Sequence, residues 1–180
     1  MKQDSSAYAD AIQVLESWAP DPNRGLPEPL FLLVSKLTPM INVDLVIADD
    51  QHRTLLTWRS DDLHGSGWHI PGGIIRYQET MEARIRATAR AELGARLEFD
   101  PAPIAIEQLI LPNRYARGHM ISIAFRCRLV DSPDPKLRYE GGDPEAGQWA
   151  WHLQCPSELI EVQTCYRRFF RPEHTPDAVG

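Results

Sequence analysis

The chain has 180 residues, 43% of them hydrophobic, which suits one well-buried domain rather than two. Its formal charge of −6 argues against a protein that grips a nucleic-acid backbone, because such proteins usually carry a basic face. No apolar run reaches the length needed to span a membrane, and the first ten residues lack the apolar run of a secretory signal.

The three cysteines, Cys127, Cys155 and Cys165, are odd in number and lack the spacing of metal ligands. They are typical of thiols in a reducing compartment, so we expect a cytoplasmic protein.

The first 38 residues are expected to form a helical extension. Tyr8, Ile12 and Leu15 recur at helical spacing within residues 7–19, and a second helix is predicted over 28–37, ending before Thr38-Pro39. Nothing in this extension carries chemistry. We therefore expect it to provide helical packing or a homodimer contact.

From Met40 onward, alternating apolar and polar residues predict strands, separated by turns rich in Gly, Pro and Asp. The predicted strands cover 40–47, 53–59, a short segment leading into the glycine turn, 104–111, 119–129 and 149–152. One helix is predicted from the cap Thr80 to Leu93, ending at Gly94, and another over 159–170. Residues 60–67 and 130–147 are predicted loops. This order indicates an α/β domain over residues 39–172, with a mixed sheet between helices and a tail at 173–180.

The segment from Trp68 to Ala95 carries the most information about function. A Pro71-Gly72-Gly73 turn is followed by a helix that returns the carboxylate of Glu92 towards the same turn. Glycine lets the backbone approach a ligand closely. A backbone carbonyl and a carboxylate are hard oxygen ligands, which suit Mg²⁺ shared between protein and substrate phosphate.

This segment resembles the box of the Nudix hydrolases, which reads G-x5-E-x7-R-E-U-x-E-E-x-G-U with U a bulky aliphatic residue. With the first Gly at Gly73, the residues Glu79, Glu92 and Gly94 match, whereas Ala87, Thr88 and Ala91 depart from the box. The resemblance implies an α/β/α sandwich, and its Ala91-Glu92-Leu93-Gly94 ending is similar to the GDP-mannose mannosyl hydrolase branch.

The resemblance implies roles for the box residues. Glu92 and the carbonyl of Gly72 would bind the metal, and the loss of two carboxylates predicts one Mg²⁺ rather than two or three. The alternative for Glu92 is an exposed helix residue before a helix cap. Glu79 receives no role, because the arginine that usually pairs with it is replaced by Ala87.

The branch further implies that Asp44, Arg59 and His119 handle the sugar and the pyrophosphate, with His119 and Glu92 as catalytic residues. The branch has a substrate-binding arginine just after the glycine turn, at the position of Ile74 in this chain. The nearby Arg76 is the candidate to bind substrate in its place. The alternatives are that Asp44 pairs at the sheet edge and that His119 packs at a strand start.

The general base of the branch has no counterpart, because residues 130–147 contain no histidine. Glu145 is predicted to replace the missing metal ligand there, or else to be a solvated loop charge. The candidates for the base are His119, Glu145, Asp62 and His64.

The sequence thus predicts a Mg²⁺-dependent hydrolase of a nucleoside diphosphate sugar or a related derivative, with water attacking either the anomeric carbon or phosphorus. Two alternatives stay open. One is a nucleotide-sugar binding protein with a degenerate site, and the other is a nucleotide pyrophosphohydrolase.

Overall fold

A computed structural model describes residues 5–61 and 65–170. Its α-helices are α1 (Ser5–Trp18), α2 (Glu28–Leu37) and α3 (Met81–Leu93). Its strands are β1 (Met40–Ile47), β2 (Thr54–Asp61), β3 (Gly65–His69), β4 (Gly72–Ile74), β5 (Leu97–Phe99), β6 (Ala105–Ile110), β7 (His119–Leu129) and β8 (Trp149–His152). Short 3₁₀ helices cover Pro22–Arg24 and Pro135–Leu137, and a longer one covers Glu161–Phe169.

The strands form a mixed sheet and a smaller antiparallel one. In the larger sheet the order is β4-β1-β7-β5, and β6 also pairs with β7. Strands β1 and β7 are parallel, with Asn42 opposite Ser122, and the other pairs of that sheet are antiparallel. The second sheet has the order β3-β2-β8. The predicted mixed α/β architecture is therefore confirmed.

Two apolar clusters hold the layers together, and β1 contributes to both because its side chains alternate between faces. Val43, Leu45 and Ile47 pack with Ile85 and Leu93 of α3 on one side. Val46 packs on the other side, in a cluster that includes Trp68 and Tyr166. Helix α3 and the 3₁₀ helix over Glu161–Phe169 thus cover opposite faces, as expected for an α/β/α sandwich.

Helix α3 begins and ends as its sequence predicts. Thr80 is extended, and its hydroxyl accepts a hydrogen bond from the Ala83 amide, which satisfies a free N–H of the first turn. Gly94 ends the helix in the left-handed conformation at φ 64°, where glycine has no Cβ to clash. Glu92 therefore lies in the last turn of the helix, two residues before Gly94.

The structure differs from the predicted elements in three places. Strand β2 continues to Asp61 and β3 starts at Gly65, so every described residue of the predicted 60–67 loop belongs to a strand. Strands β4 and β5 were not predicted, because each has only three residues.

The predicted closing α-helix over 159–170 is wrong in type, because residues Glu161–Phe169 form a 3₁₀ helix. With three residues per turn, side chains at i and i+3 align. Gln163 and Tyr166 are both buried against the sheets, and Phe169 stacks on Tyr166 with ring centroids 5.8 Å apart. The tighter winding lets one stripe of side chains face the core.

The two helices of the extension differ in their packing. Leu30 and Ser35 of α2 are buried, whereas α1 leaves Tyr8, Ile12 and Trp18 more than half exposed. None of the helices among the described residues is long and apolar enough to cross a membrane.

Candidate active site

The glycine turn is fixed against β1 by backbone pairing. Gly72 lies opposite Asp44 in the antiparallel register, and the Leu45 amide donates a hydrogen bond to the Pro71 carbonyl over 2.8 Å. A Cβ on Gly72 would overlap Oδ1 of Asp44. Glycine is therefore required at position 72, because the Asp44 carboxylate occupies the space of a side chain.

Glu92 reaches this turn from the last turn of α3. Its Oε1 accepts a hydrogen bond from the Gly72 amide over 3.1 Å, and its Oε2 accepts one from the Thr57 hydroxyl over 3.1 Å. Nε2 of His69 lies 3.4 Å from the same Oε2. The Glu92 side chain remains 24% exposed, so it lies at the surface of the site and is not sealed in the core.

Asp44 is a buried carboxylate on the other side of the turn, 2% exposed. It accepts hydrogen bonds from the Tyr166 hydroxyl and from Nδ2 of Asn42, the latter over 2.9 Å. Burial raises the pKa of Asp44 to about 6, and the hydrogen bonds from Tyr166, Ser122 and Asn42 oppose that rise. The Asp44 carboxylate is therefore buried with its oxygens held by hydrogen bonds from Tyr166 and Asn42.

A small pocket, called the polar pocket below, opens beside Asp44 and Gly72 and has a volume of about 70 Å³. Its lining includes Asp44, Arg59, His69 and Gly72, and also Arg117 from the loop before β7. Nε of Arg59 lies 3.4 Å from Oδ2 of Asp61. Asp44, Arg59 and Gly72 of the predicted site thus line one pocket, and Glu92 hydrogen-bonds the Gly72 amide.

Sequence reasoning missed three residues of this site: His69, Tyr166 and Arg117. His69 lies in the motif itself, directly before Ile70-Pro71, and its position there was the available signal. Tyr166 and Arg117 come from distant segments with no motif, so only the tertiary structure brings them to the turn.

The other predicted residues do not line the polar pocket. Met120 and Ser122 of β7 line the polar pocket, so by strand alternation His119 is on the opposite face, where it hydrogen-bonds the Gln108 amide over 3.1 Å. Arg76 is exposed and lines a neighbouring cavity.

Glu145 is an exposed loop residue whose amide donates to Oε1 of Gln148 over 2.9 Å. The candidate bases Asp62 and His64 lie outside the described residues.

Two departures from the box have a clear structural setting. Thr88 is buried at 4% exposure against the turn, and its hydroxyl has no hydrogen-bond partner. A Cβ on Gly73 would overlap this hydroxyl. Ala91 is exposed on the outer side of α3. A carboxylate at position 88 would therefore meet a crowded site, whereas one at position 91 would meet open space.

Glu79 has an arginine partner, although the box arginine is replaced by Ala87. Arg84 lies three residues before Ala87 and donates to both Glu79 oxygens over 2.8 and 2.9 Å. The Arg76 amide also donates to Glu79 over 3.0 Å. Glu79 thus fastens the loop after the turn to the start of α3.

The turn offers few side-chain ligands for a metal ion. In the described ranges, 5–61 and 65–170, no group of three or more His, Cys, Asp or Glu side chains is arranged to hold a metal ion. The partly exposed Glu92 carboxylate at the turn is nevertheless an oxygen donor that Mg²⁺ accepts, with remaining positions filled by water and phosphate.

Comparison with known proteins identifies the domain. The NUDIX domain matches residues 38–168. The MutT NUDIX hydrolase from Burkholderia pseudomallei superposes with a TM-score of 0.58 at 22% identity, covering 74% of this chain and 99% of that protein.

Two further solved structures share the fold. An ADP-ribose pyrophosphatase from Streptococcus suis gives a TM-score of 0.52 at 17% identity, covering 76% of this chain and 96% of that one. A UDP-X diphosphatase gives 0.53 at 14% identity, covering 93% of this chain and 80% of that one. At these identities the likeness establishes the fold alone.

Proposed function

Because the chain belongs to the NUDIX domain family, whose members are hydrolases of small nucleotide substrates, we propose that it hydrolyses a nucleoside diphosphate sugar or a related derivative. The observation that carries this proposal is the convergence of two carboxylates on one glycine. Oδ1 of Asp44 fills the space beside the Gly72 Cα, Glu92 accepts from the Gly72 amide, and Arg59 lines the same pocket as Asp44 and Gly72.

Each of these groups suits one part of such a substrate. A buried carboxylate such as Asp44 accepts hydrogen bonds from sugar hydroxyls, and the planar guanidinium of Arg59 matches a phosphate. Family members generally use divalent metal ions, and Glu92 with the Gly72 carbonyl would hold one Mg²⁺. When bound, Mg²⁺ would neutralise the pyrophosphate and make it a better leaving group.

The proposed reaction is attack of water at the anomeric carbon. The bond between that carbon and the diphosphate oxygen breaks, the oxygen of water becomes the sugar hydroxyl, and the nucleoside diphosphate departs. His69 is placed to take up the proton, because it lines the polar pocket and lies 3.4 Å from Glu92. His119, which the family resemblance implies as a catalytic residue, does not line this pocket and hydrogen-bonds Gln108 instead.

A binding protein with little turnover is the second candidate. It is favoured by the box positions at which Thr88 and Ala91 replace carboxylates. The UDP-X diphosphatase and ADP-ribose pyrophosphatase among the structural neighbours keep attack at phosphorus as a third possibility.

The proposal further includes a cytoplasmic location and a homodimer, in keeping with the cysteine content and the exposed apolar residues of α1.

The proposal is tested by turnover of a panel of nucleotide sugars with Mg²⁺, comparing wild type with Glu92→Gln and His69→Gln. Glu98→Gln is the matched control, because Glu98 is an exposed carboxylate on β5 whose side chain is 69% exposed. We expect Glu92→Gln and His69→Gln to lose at least tenfold in kcat/KM, and Glu98→Gln to match wild type. Full activity of Glu92→Gln would refute the role of Glu92. Tight binding of a sugar nucleotide by wild type without turnover would favour the binding protein.

A further inference from the structure

The polar pocket is one of two adjoining pockets that share the residues Gly72, Ile74 and Arg117. The second pocket is a larger cavity of about 910 Å³ between α2 and the sheet. Its lining is mostly apolar and includes Leu26, Phe31, Val34, Met40, Ile41 and Ile75. A cavity of this size is typical of sites that enclose a drug-sized ligand. A ligand that used both pockets would pass Arg117.

Arg117 is held in place by α2. Its amide donates to the Ser35 hydroxyl over 3.1 Å, and its guanidinium lies 5.6 Å from the centroid of the Phe31 ring. Its backbone has φ 54°, a left-handed conformation that residues other than glycine adopt infrequently. Such conformations persist where the surroundings impose them, often at ligand sites. The hydroxyl of Ser35 and the ring of Phe31 supply those surroundings.

The charges around Arg117 favour an anion. Burial lowers the pKa of Arg117, and the nearby Arg59 and Arg114 lower it further, whereas Asp61 opposes them. An arginine keeps its proton at neutral pH even so. Nε of Arg117 and Nη1 of Arg114 are buried without a hydrogen-bond partner in the structure. Arg59 and Arg114 thus add positive charge beside Arg117, and an anionic ligand would offset that charge and accept from the buried nitrogens of Arg117 and Arg114.

We infer that Arg117 binds the diphosphate of the substrate at the junction of the two pockets, with the nucleobase in the larger apolar cavity. This inference rests on the proposed function and names the residue that bridges its two ends. Gly72, Ile74 and Arg117 line both pockets, and Arg117 is the charged residue among these three. A diphosphate that spans the junction would therefore meet the guanidinium of Arg117.

Helix α2 of the N-terminal extension contacts Arg117 and lines the larger cavity of the same chain. Ser35 and Phe31 of α2 hold the arginine, and Phe31 and Val34 form a wall of the apolar cavity. Helix α2 would thus shape the substrate site, in addition to any contact that the extension makes with a second copy.

Calorimetric titration of the full-length protein in EDTA tests the inference without requiring metal or turnover. The probes are GDP, UDP and ADP, each compared with its nucleoside. Arg117→Met keeps an unbranched side chain for Phe31 but removes the guanidinium. Arg126→Met is the matched control, because Arg126 on β7 has a side chain that is 64% exposed. Ser35→Ala leaves the guanidinium but removes the hydroxyl that accepts the hydrogen bond from the Arg117 backbone amide.

We expect Arg117→Met to weaken binding of the tightest diphosphate at least tenfold while leaving nucleoside affinity within twofold. Ser35→Ala should weaken the diphosphate severalfold, and this variant decides the matter if thermal denaturation finds Arg117→Met unfolded. Equal diphosphate affinity in wild type, Arg117→Met and Ser35→Ala would overturn the inference. If wild type binds no diphosphate and hydrolyses no nucleotide sugar, the proposed function fails as well. Turnover by wild type with unchanged affinity in the variants would refute only the role of Arg117.

Discussion

Restoring the missing box carboxylate at position 88 should destabilise this protein, although the same position is acidic in the family pattern. Thr88 is 4% exposed, and its hydroxyl packs so closely on the turn that a Cβ at Gly73 would overlap it. Overpacking a core position costs about 1–3 kcal/mol, and burying an unpaired carboxylate adds several more. We expect Thr88→Glu to lose at least about 3 kcal/mol of unfolding free energy without metal. For a chain of this size that lowers the Tm by about 6–12 °C.

Two variants make this experiment specific. Thr88→Val keeps the shape and removes a buried hydroxyl that has no partner, so it should gain about 1 kcal/mol. Ala91→Glu adds a carboxylate at an exposed position and should change stability by less than about 0.5 kcal/mol. The assay is thermal denaturation followed by circular dichroism in EDTA. A Tm for Thr88→Glu within about 2 °C of wild type would refute the crowding described here.

Three further predictions follow from contacts away from the pocket. Burial lowers the pKa of His152 from 6.5 to about 4, so its neutral form is favoured on folding and stability should fall as pH drops from about 6.5 towards 4. After discounting for partial exposure, the loss of unfolding free energy is about 1–2 kcal/mol. Urea denaturation at several pH values should show this loss in wild type. An equal loss in His152→Gln would contradict the assignment to His152. Glu79→Gln breaks the paired hydrogen bonds from Arg84 and should cost about 1–3 kcal/mol, and an unchanged urea midpoint would refute that role. The exposed apolar residues of α1 should be covered by a second copy, so light scattering should give the mass of a dimer, and a monomer would exclude this contact.

Local patterns were sufficient for much of the fold. The bounds of α2, β1 and β8 agree with those predicted, because each combines a clear periodicity with a defined stop. The two missed strands have three residues each, too few to establish a period of two. The 3₁₀ winding of residues Glu161–Phe169 depends on the anchoring of Gln163 and Tyr166 in the core, which no local pattern encodes.

The same division applies to the site. Gly72 and Glu92 meet because the motif spaces them across one turn and one helix, which sequence alone can indicate. The partner of Glu79 was missed because Arg84 makes the contact from a different position in the helix. Arg117 and Tyr166 could not be predicted, since strand pairing and the closing 3₁₀ helix bring them to the turn from distant parts of the chain.

The most direct test of the account is the fate of water oxygen. Purified protein, Mg²⁺ and a panel of nucleotide sugars are incubated in ¹⁸O-water, and the products are read by mass spectrometry. The account predicts label in the free sugar and none in the nucleoside diphosphate, because water attacks the anomeric carbon. Label in a phosphate product would contradict it and assign the protein to the pyrophosphohydrolases.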